Sequence, residues 1–222
     1  MGDNGLTKNM INPPLQNPPA ESFGPAAPVV PLPAPVARRP MHTRRVVYES
    51  YIRDDKLFDL EGRLVDTKAY AYHEPYRGVR AAGDTLHEMV VRLTIGIDMV
   101  VREIHVSMPA TPYPPCGQAQ LNFAGLVGLS LARGWRKALD EKVGAVLGCT
   151  HVREMLAHMP TIGYQTLSGW SLRSAEGMQD VPLRAEGQPR FIDGCRGWAS
   201  DGPVVAVLMP EHFRPRASEP DA

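Results

Sequence analysis

Residues 86–97 read Leu86-His87-Glu88-Met89-Val90-Val91-Arg92-Leu93-Thr94-Ile95-Gly96-Ile97, and they decide the fold. Side chains of a strand alternate between two faces. His87, Met89, Val91, Leu93, Ile95 and Ile97 share one face here, and Glu88, Arg92 and Thr94 the other. That alternation predicts a half-buried strand. Gly96-Ile97-Asp98 predicts a turn. Val100–Met108 then returns as a second strand, with Val100, Ile104, Val106 and Met108 inward. Four prolines between Pro109 and Pro115 end the sheet.

Upstream, Arg44–Tyr51 and Phe58–Tyr72 carry Val, Tyr and Leu with charged partners. They predict two or three more strands, with turns near Asp54 and Gly62. Downstream, Gln118–Arg133 is apolar on most sides and stops at Gly134, which predicts a buried helix. Trp135–Val143 predicts an amphipathic helix ended by Gly144. A third helix starts at His151–His158, with Thr150 as its N-cap. Short strands are expected near Arg190–Ile192 and Val204–Met209. Strands, then helices, then short strands make an α+β domain, an antiparallel sheet with a helical layer on one face.

Residues 1–40 hold 10 of the 22 prolines and one aromatic, Phe23. Such a stretch lacks ladder donors and core bulk, so a disordered tail is expected over 1–40. One domain then spans 41–213, and 214–222 is expected to fray. The tail is a spacer, or a contact for a protein partner with a proline-recognising groove.

Lys and Arg number 24, as do Asp and Glu. The zero balance argues against binding nucleic acid by phosphate neutralisation. No window approaches 18 apolar residues, so no membrane partner is expected. The polar start lacks a signal pattern, and three widely spaced cysteines, Cys116, Cys149 and Cys195, are no disulfide framework. A cytoplasmic location follows.

The chemistry-bearing residues are Cys116, Cys149, His151 and His87. Cys116 lies on the loop leaving the hairpin. Cys149 and His151 flank a helix start, whose dipole favours a thiolate. His87 lies on the apolar face of its strand. If the helices cover that face, all four converge near one end of the sheet. Two thiolates and two imidazoles suit zinc, and related sets hold iron–sulfur clusters. Against this stands the reading that the cysteines are inert core residues. A rival reading is an enzyme acting on a small-molecule substrate, through a Cys149 thiolate or a metal-bound water with His151 moving protons. A third is a structural or partner-binding domain without a metal. Asp54, Asp55, Asp59, Glu61 and Asp66 are read as a charged hairpin face partnered by Arg53, Arg63 and Lys68 rather than a cation site. Cys195 is read as a core residue. The chain carries no G-x-S-x-G, H-E-x-x-H, Walker or G-x-G-x-x-G motif, so common hydrolase, protease, kinase and dinucleotide readings lose support.

Two resemblances add to this. The run Arg53-Asp54-Asp55-x-Leu57-x-Asp59-x-Glu61-Gly62-x-Leu64-x-Asp66-Thr67-Lys68 and the tetrad Gly148-Cys149-Thr150-His151 resemble signatures of an uncharacterised bacterial domain-of-unknown-function family. The likeness covers roughly His42 to Met209. Lys56 and Phe58 stand where glycine and tryptophan are expected. The family implies no activity. The chain is also similar, more weakly, to the NifU/IscU-type iron–sulfur scaffold fold. That likeness implies a hairpin-plus-helices core, with His87, Cys116 and the Cys149/His151 pair at the ligand places. His87 stands in place of the scaffold's first cysteine and Met89 in place of its aspartate, which points away from labile cluster assembly and toward a stable zinc or no metal.

Overall fold

Phe58, Leu60, Leu64 and Asp66 alternate with more exposed neighbours along one strand, and that alternation orients the whole sheet. The computed structural model describes residues 18–171, 187–189 and 191–215. Chain contacts divide it into two units, Pro35–Trp170 and a second made of Met1–Ala34 with Ser171–Ala222.

The first unit is built on a four-stranded antiparallel sheet. Its strands are β1 (His42–Ile52), β2 (Phe58–Lys68), β5 (Thr85–Ile95) and β6 (Val101–Ala110), in the order β1-β2-β5-β6. A small hairpin, β3 (Tyr72–Glu74) with β4 (Gly78–Arg80), connects β2 to β5. The β5–β6 hairpin falls where the alternation places it. Met89, Val91, Leu93 and Ile95 are buried on the inner face of β5. On β6, Ile104, Val106 and Met108 pack against the core as expected, but the buried residue at its start is Val101 rather than Val100. A register shift between Thr94 and Ile95 moves the alternation by one position there.

Two helices cover the inner face. Helix α1 (Trp135–Val143) buries Trp135, Leu139 and Val143 at four-residue spacing. Helix α2 (Thr150–Ser171) buries Val152, Met155, Leu156 and Met159. A side chain at Gly62 would meet Met155 Cε at 3.0 Å, Tyr48 Cε1 at 3.1 Å and Met159 Cε at 3.2 Å. Glycine there lets α2 lie close on the sheet. Pro160 sits inside α2 and has no N–H to give the carbonyl four residues earlier, that of Leu156. The Trp135 indole Nε1 donates to that carbonyl instead, at 2.7 Å. The proline that weakens α2 thus creates the acceptor that ties α1 to it.

The segment expected as a helix over Gln118–Arg133 divides in two. Pro114–Leu126 is a 3-10 helix burying Phe123 and Leu126. Beyond it, Gly128, Leu129 and Leu131 form backbone hydrogen bonds with Met99 and Val101, and Ser130 bridges to Val100. Glycines at 117, 125 and 128, the last with φ +84°, weaken a continuous α-helix. The sheet edge then captures the second half. Gly134 is the residue before α1, with φ +65°, and not the end of a preceding helix.

In the second unit, Val204–Met209 does not form the expected strand. Pro203–Leu208 is helix α3 with Val205 buried. Proline at its first position presets φ for a helix start. Of the strand expected near Arg190–Ile192, Arg190 lies outside the described residues, and Phe191 and Ile192 lie in turns. The Phe191 and Trp198 rings are 4.6 Å apart, and Cys195 is exposed rather than buried. From Gly24 to Met41 there is neither helix nor strand. The rest of the expected tail, 1–17, and residues 216–222 of the C-terminus lie outside the described residues.

Candidate metal centre

Arg44 on β1 stands opposite Asp66 on β2, and Asp66 opposite His87 on β5. Three strands thus present one residue each, in a row, on the helix-covered face. His42 is two residues before Arg44, on the same face. The second residue of α2, His151, comes down on this row from above. Cys149 is its neighbour at the cap position, where its carbonyl accepts the first bond of the helix from Arg153 N at 2.9 Å.

Asp66 is the hub, with only 1% of its side chain exposed. Arg44 clamps it as a fork, Nε donating to Oδ1 at 2.8 Å and a terminal nitrogen to Oδ2 at 2.7 Å. His42 Nε2 is 3.0 Å from Oδ1, and His87 Nδ1 is 3.2 Å from Oδ2. An ionised carboxylate only accepts hydrogen bonds, so both of those ring nitrogens carry the proton. His87 therefore keeps its lone pair on Nε2 when neutral. His151 stacks on His87, ring centroids 4.0 Å apart at 35°. Its Nε2 is 3.8 Å from Asp66 Oδ2, and its Nδ1 is 3.7 Å from Cys149 Sγ.

The electrostatics follow from burial and one cation. Burial alone would raise the Asp66 carboxyl; the Arg44 hydrogen bonds and charge, with His42, outweigh it and hold the group below the usual carboxylate range. Burial, then the neighbouring His151, push His87 down, and Asp66 opposes them. Burial and Arg44 likewise push His151 down. At neutral pH the Asp66 carboxylate is ionised beside the Arg44 guanidinium, and the His87 and His151 imidazoles are neutral.

Asp66, His87 and His151 each offer a ligand atom within 4.8 Å of the others, the one such group of three or more among the described residues. Of the residues expected from sequence, His87 and His151 come together and Cys149 stands beside them. Cys116 lies on the 3-10 helix Pro114–Leu126, half-buried and in no such group among the described residues. The acidic run separates. Asp55 pairs with Arg53, Asp59 accepts from Thr94 Oγ1 at 2.6 Å, and Glu61 pairs with Arg92. Asp66 leaves that surface set for the centre. Sequence reasoning missed Asp66, His42 and Arg44. The available signal was parity, since Asp66 is two residues past Leu64 and in phase with Phe58 and Leu60.

A family model described as a protein of unknown function, DUF2889, matches residues 42–165. The chain belongs to the DUF2889 family. The match begins at His42 and includes His151, so every residue of the centre lies in the DUF2889 segment. No curated protein and no solved structure matches the chain. No described helix is long and apolar enough to cross a membrane.

Proposed function

We propose that this DUF2889 chain binds a first-row divalent metal ion, zinc foremost, through His87, His151 and Asp66, with Cys149 as a fourth donor. The observation that carries the reading is the 4.8 Å grouping of two half-buried imidazoles with a buried carboxylate. Imidazole and carboxylate suit zinc and its neighbours. Arg44 and His42 bind the carboxylate from its far side, as outer partners of a ligating carboxylate do. Coordination by Asp66 would replace its contact with His87; otherwise Asp66 would orient His87 through Nδ1 and leave Nε2 free to act as a ligand. The NifU/IscU likeness puts donors on a hairpin strand and at a helix start, where His87 and His151 stand. Clusters are held mainly by thiolates. Cys149 is the one thiol beside the imidazoles among the described residues, which favours a single ion over a cluster.

The test is metal content of untagged protein, with cobalt substitution as spectroscopic probe. About one equivalent of zinc is expected, falling to near none in His87→Ala and in His151→Ala. A thiolate-to-cobalt charge-transfer band lost in Cys149→Ser would place that sulfur on the metal, and the same band lost in Cys116→Ser would bring in Cys116. Failure to bind zinc or cobalt at equimolar concentration would refute the proposal.

A second reading has its own observation. Cys149 Sγ, the His151 ring and Asp66 Oδ2 follow one another at 3.7 and 3.8 Å. That is the order of nucleophile, base and orienting carboxylate, with the nucleophile at a helix N-terminus. It supports an enzyme acting on a small electrophilic substrate. Alkylation of Cys149 that slows severalfold in both His151→Ala and Asp66→Asn, in metal-free protein, would favour it.

A further inference from the structure

Strand β1 is an edge of the sheet, eleven residues long and exposed at every position except Tyr48. Its pairing with β2 runs without a register shift from His42 to Ile52. Sheet edges are ordinarily blunted by shortness, proline, a bulge or charged side chains; β1 has none of the first three, and the two charges on its outer face, Arg45 and Glu49, are of opposite sign.

The outer face of this edge carries charges that enter no ion pair among the described residues. One strand inward, Arg63 pairs with Glu88 and Arg92 with Glu61. Arg45 and Glu49, by contrast, have no ion-pair partner among the described residues, although Glu49 accepts a hydrogen bond from the Tyr51 hydroxyl on the same face. Across β2, Arg45 faces Val65, and Glu49 faces a like charge, Glu61, an arrangement that destabilises a sheet. Val47, midway between them, is 56% exposed, and Tyr51 on the same face is 47% exposed.

We propose that β1 pairs antiparallel with β1 of a second copy of this chain, about a two-fold axis through Val47, giving one continuous eight-stranded sheet. A residue and its opposite point to the same face in such a pair. This axis places Arg45 opposite Glu49 of the partner subunit, and Glu49 opposite Arg45 of the partner subunit. Each charge gains an opposite charge across the interface, and the Glu49–Glu61 repulsion is relieved. Val47 meets its own copy, and Thr43 meets Tyr51 of the partner subunit. On the helix-covered face, Arg44 faces Ser50 of the partner subunit and His42 faces Ile52 of the partner subunit. Dimerisation therefore walls the open flank of the metal centre.

The test is light scattering of the full chain over a concentration series, with circular dichroism as a fold control. The wild type is expected at twice the 24.4 kDa chain mass. Arg45→Glu and Glu49→Arg each set like charges together twice, and each should weaken association by at least about tenfold. The double variant R45E/E49R restores opposite charges at both places and should recover the dimer. A wild type that stays monomeric throughout overturns the proposal. So do single reversals that leave association unchanged, and a double variant no better than the singles.

Discussion

The middle of the sheet and its His42 end share the same strands and lie under the same helix, yet they are filled by opposite chemistry. In the middle, α2 rests Met155 and Met159 on Gly62, with Leu60, Leu64 and Val91 around them. At the end, α2 sets His151 on Asp66 and His87. The side-chain alternation does not change between the two; an ionised carboxylate takes the next inward place after Leu64. Burying that charge is tolerable only because Arg44 and two imidazoles surround it. A row that departs from apolar filling while keeping its phase marks a place held for something other than stability.

Substitutions should separate the two regions. Leu93→Ala, in the fully buried middle, should cost about 2–5 kcal/mol in urea unfolding and leave metal stoichiometry unchanged. Loss of metal without loss of fold would contradict the division. At the other end, Arg44→Met strands the carboxylate without its cation. Breaking a buried pair costs about 3–5 kcal/mol. The Arg44 side chain is 40% exposed, so solvent screening should bring this to about 2 kcal/mol. Adding Asp66→Asn should recover much of that loss, which a double-mutant cycle would measure.

Between the regions lies the tie of α1 to α2. Trp135→Phe leaves the Leu156 carbonyl without a donor and should cost about 1–3 kcal/mol. Pro160→Ala supplies a backbone N–H to the same carbonyl, so it should be more stabilising in the Trp135→Phe protein than in the wild type. Equal effects in both backgrounds would separate the proline from the indole. The smallest effect is in pH. The Asp66 carboxyl is held below its unfolded value, so its contribution is present above about pH 4 and fades as the pH falls through the lowered value. Stability against pH over that range should be flatter in Asp66→Asn than in wild type.

How far the sequence was legible follows from the same contrast. The β5–β6 hairpin and α1 were readable because alternation and four-residue spacing there meet no competing signal. The segment 118–133 was not, because its apolar character fits a helix and a sheet edge equally, and only tertiary hydrogen bonds to Met99 and Val101 decide between them. The approach of His87 and His151 was legible because one lies on an apolar face and the other at a helix start. Asp66 was missed because its charge was weighed ahead of its phase; local sequence holds no record of the Arg44 opposite it. Cys116 was grouped with the others on the expectation that two helix starts meet at one end of the sheet, and it joins no group of three or more potential ligands among the described residues. A 3-10 helix begins near Cys116 in place of the α-helix assumed there.

The centre draws on β1, β2, β5 and the start of α2, with Asp66 bonded to residues 21, 22 and 24 positions away and His151 far beyond them. Each of those loops must close before its contact exists, at a cost in chain entropy. During synthesis the strands emerge first and α2 much later. A nascent chain ending before Gly148 has the carboxylate, its arginine and His87, but not His151. The three-ligand group is therefore incomplete until the long helix docks. A metal held there at equilibrium would report that the last long-range step of folding has finished, and would oppose its reversal.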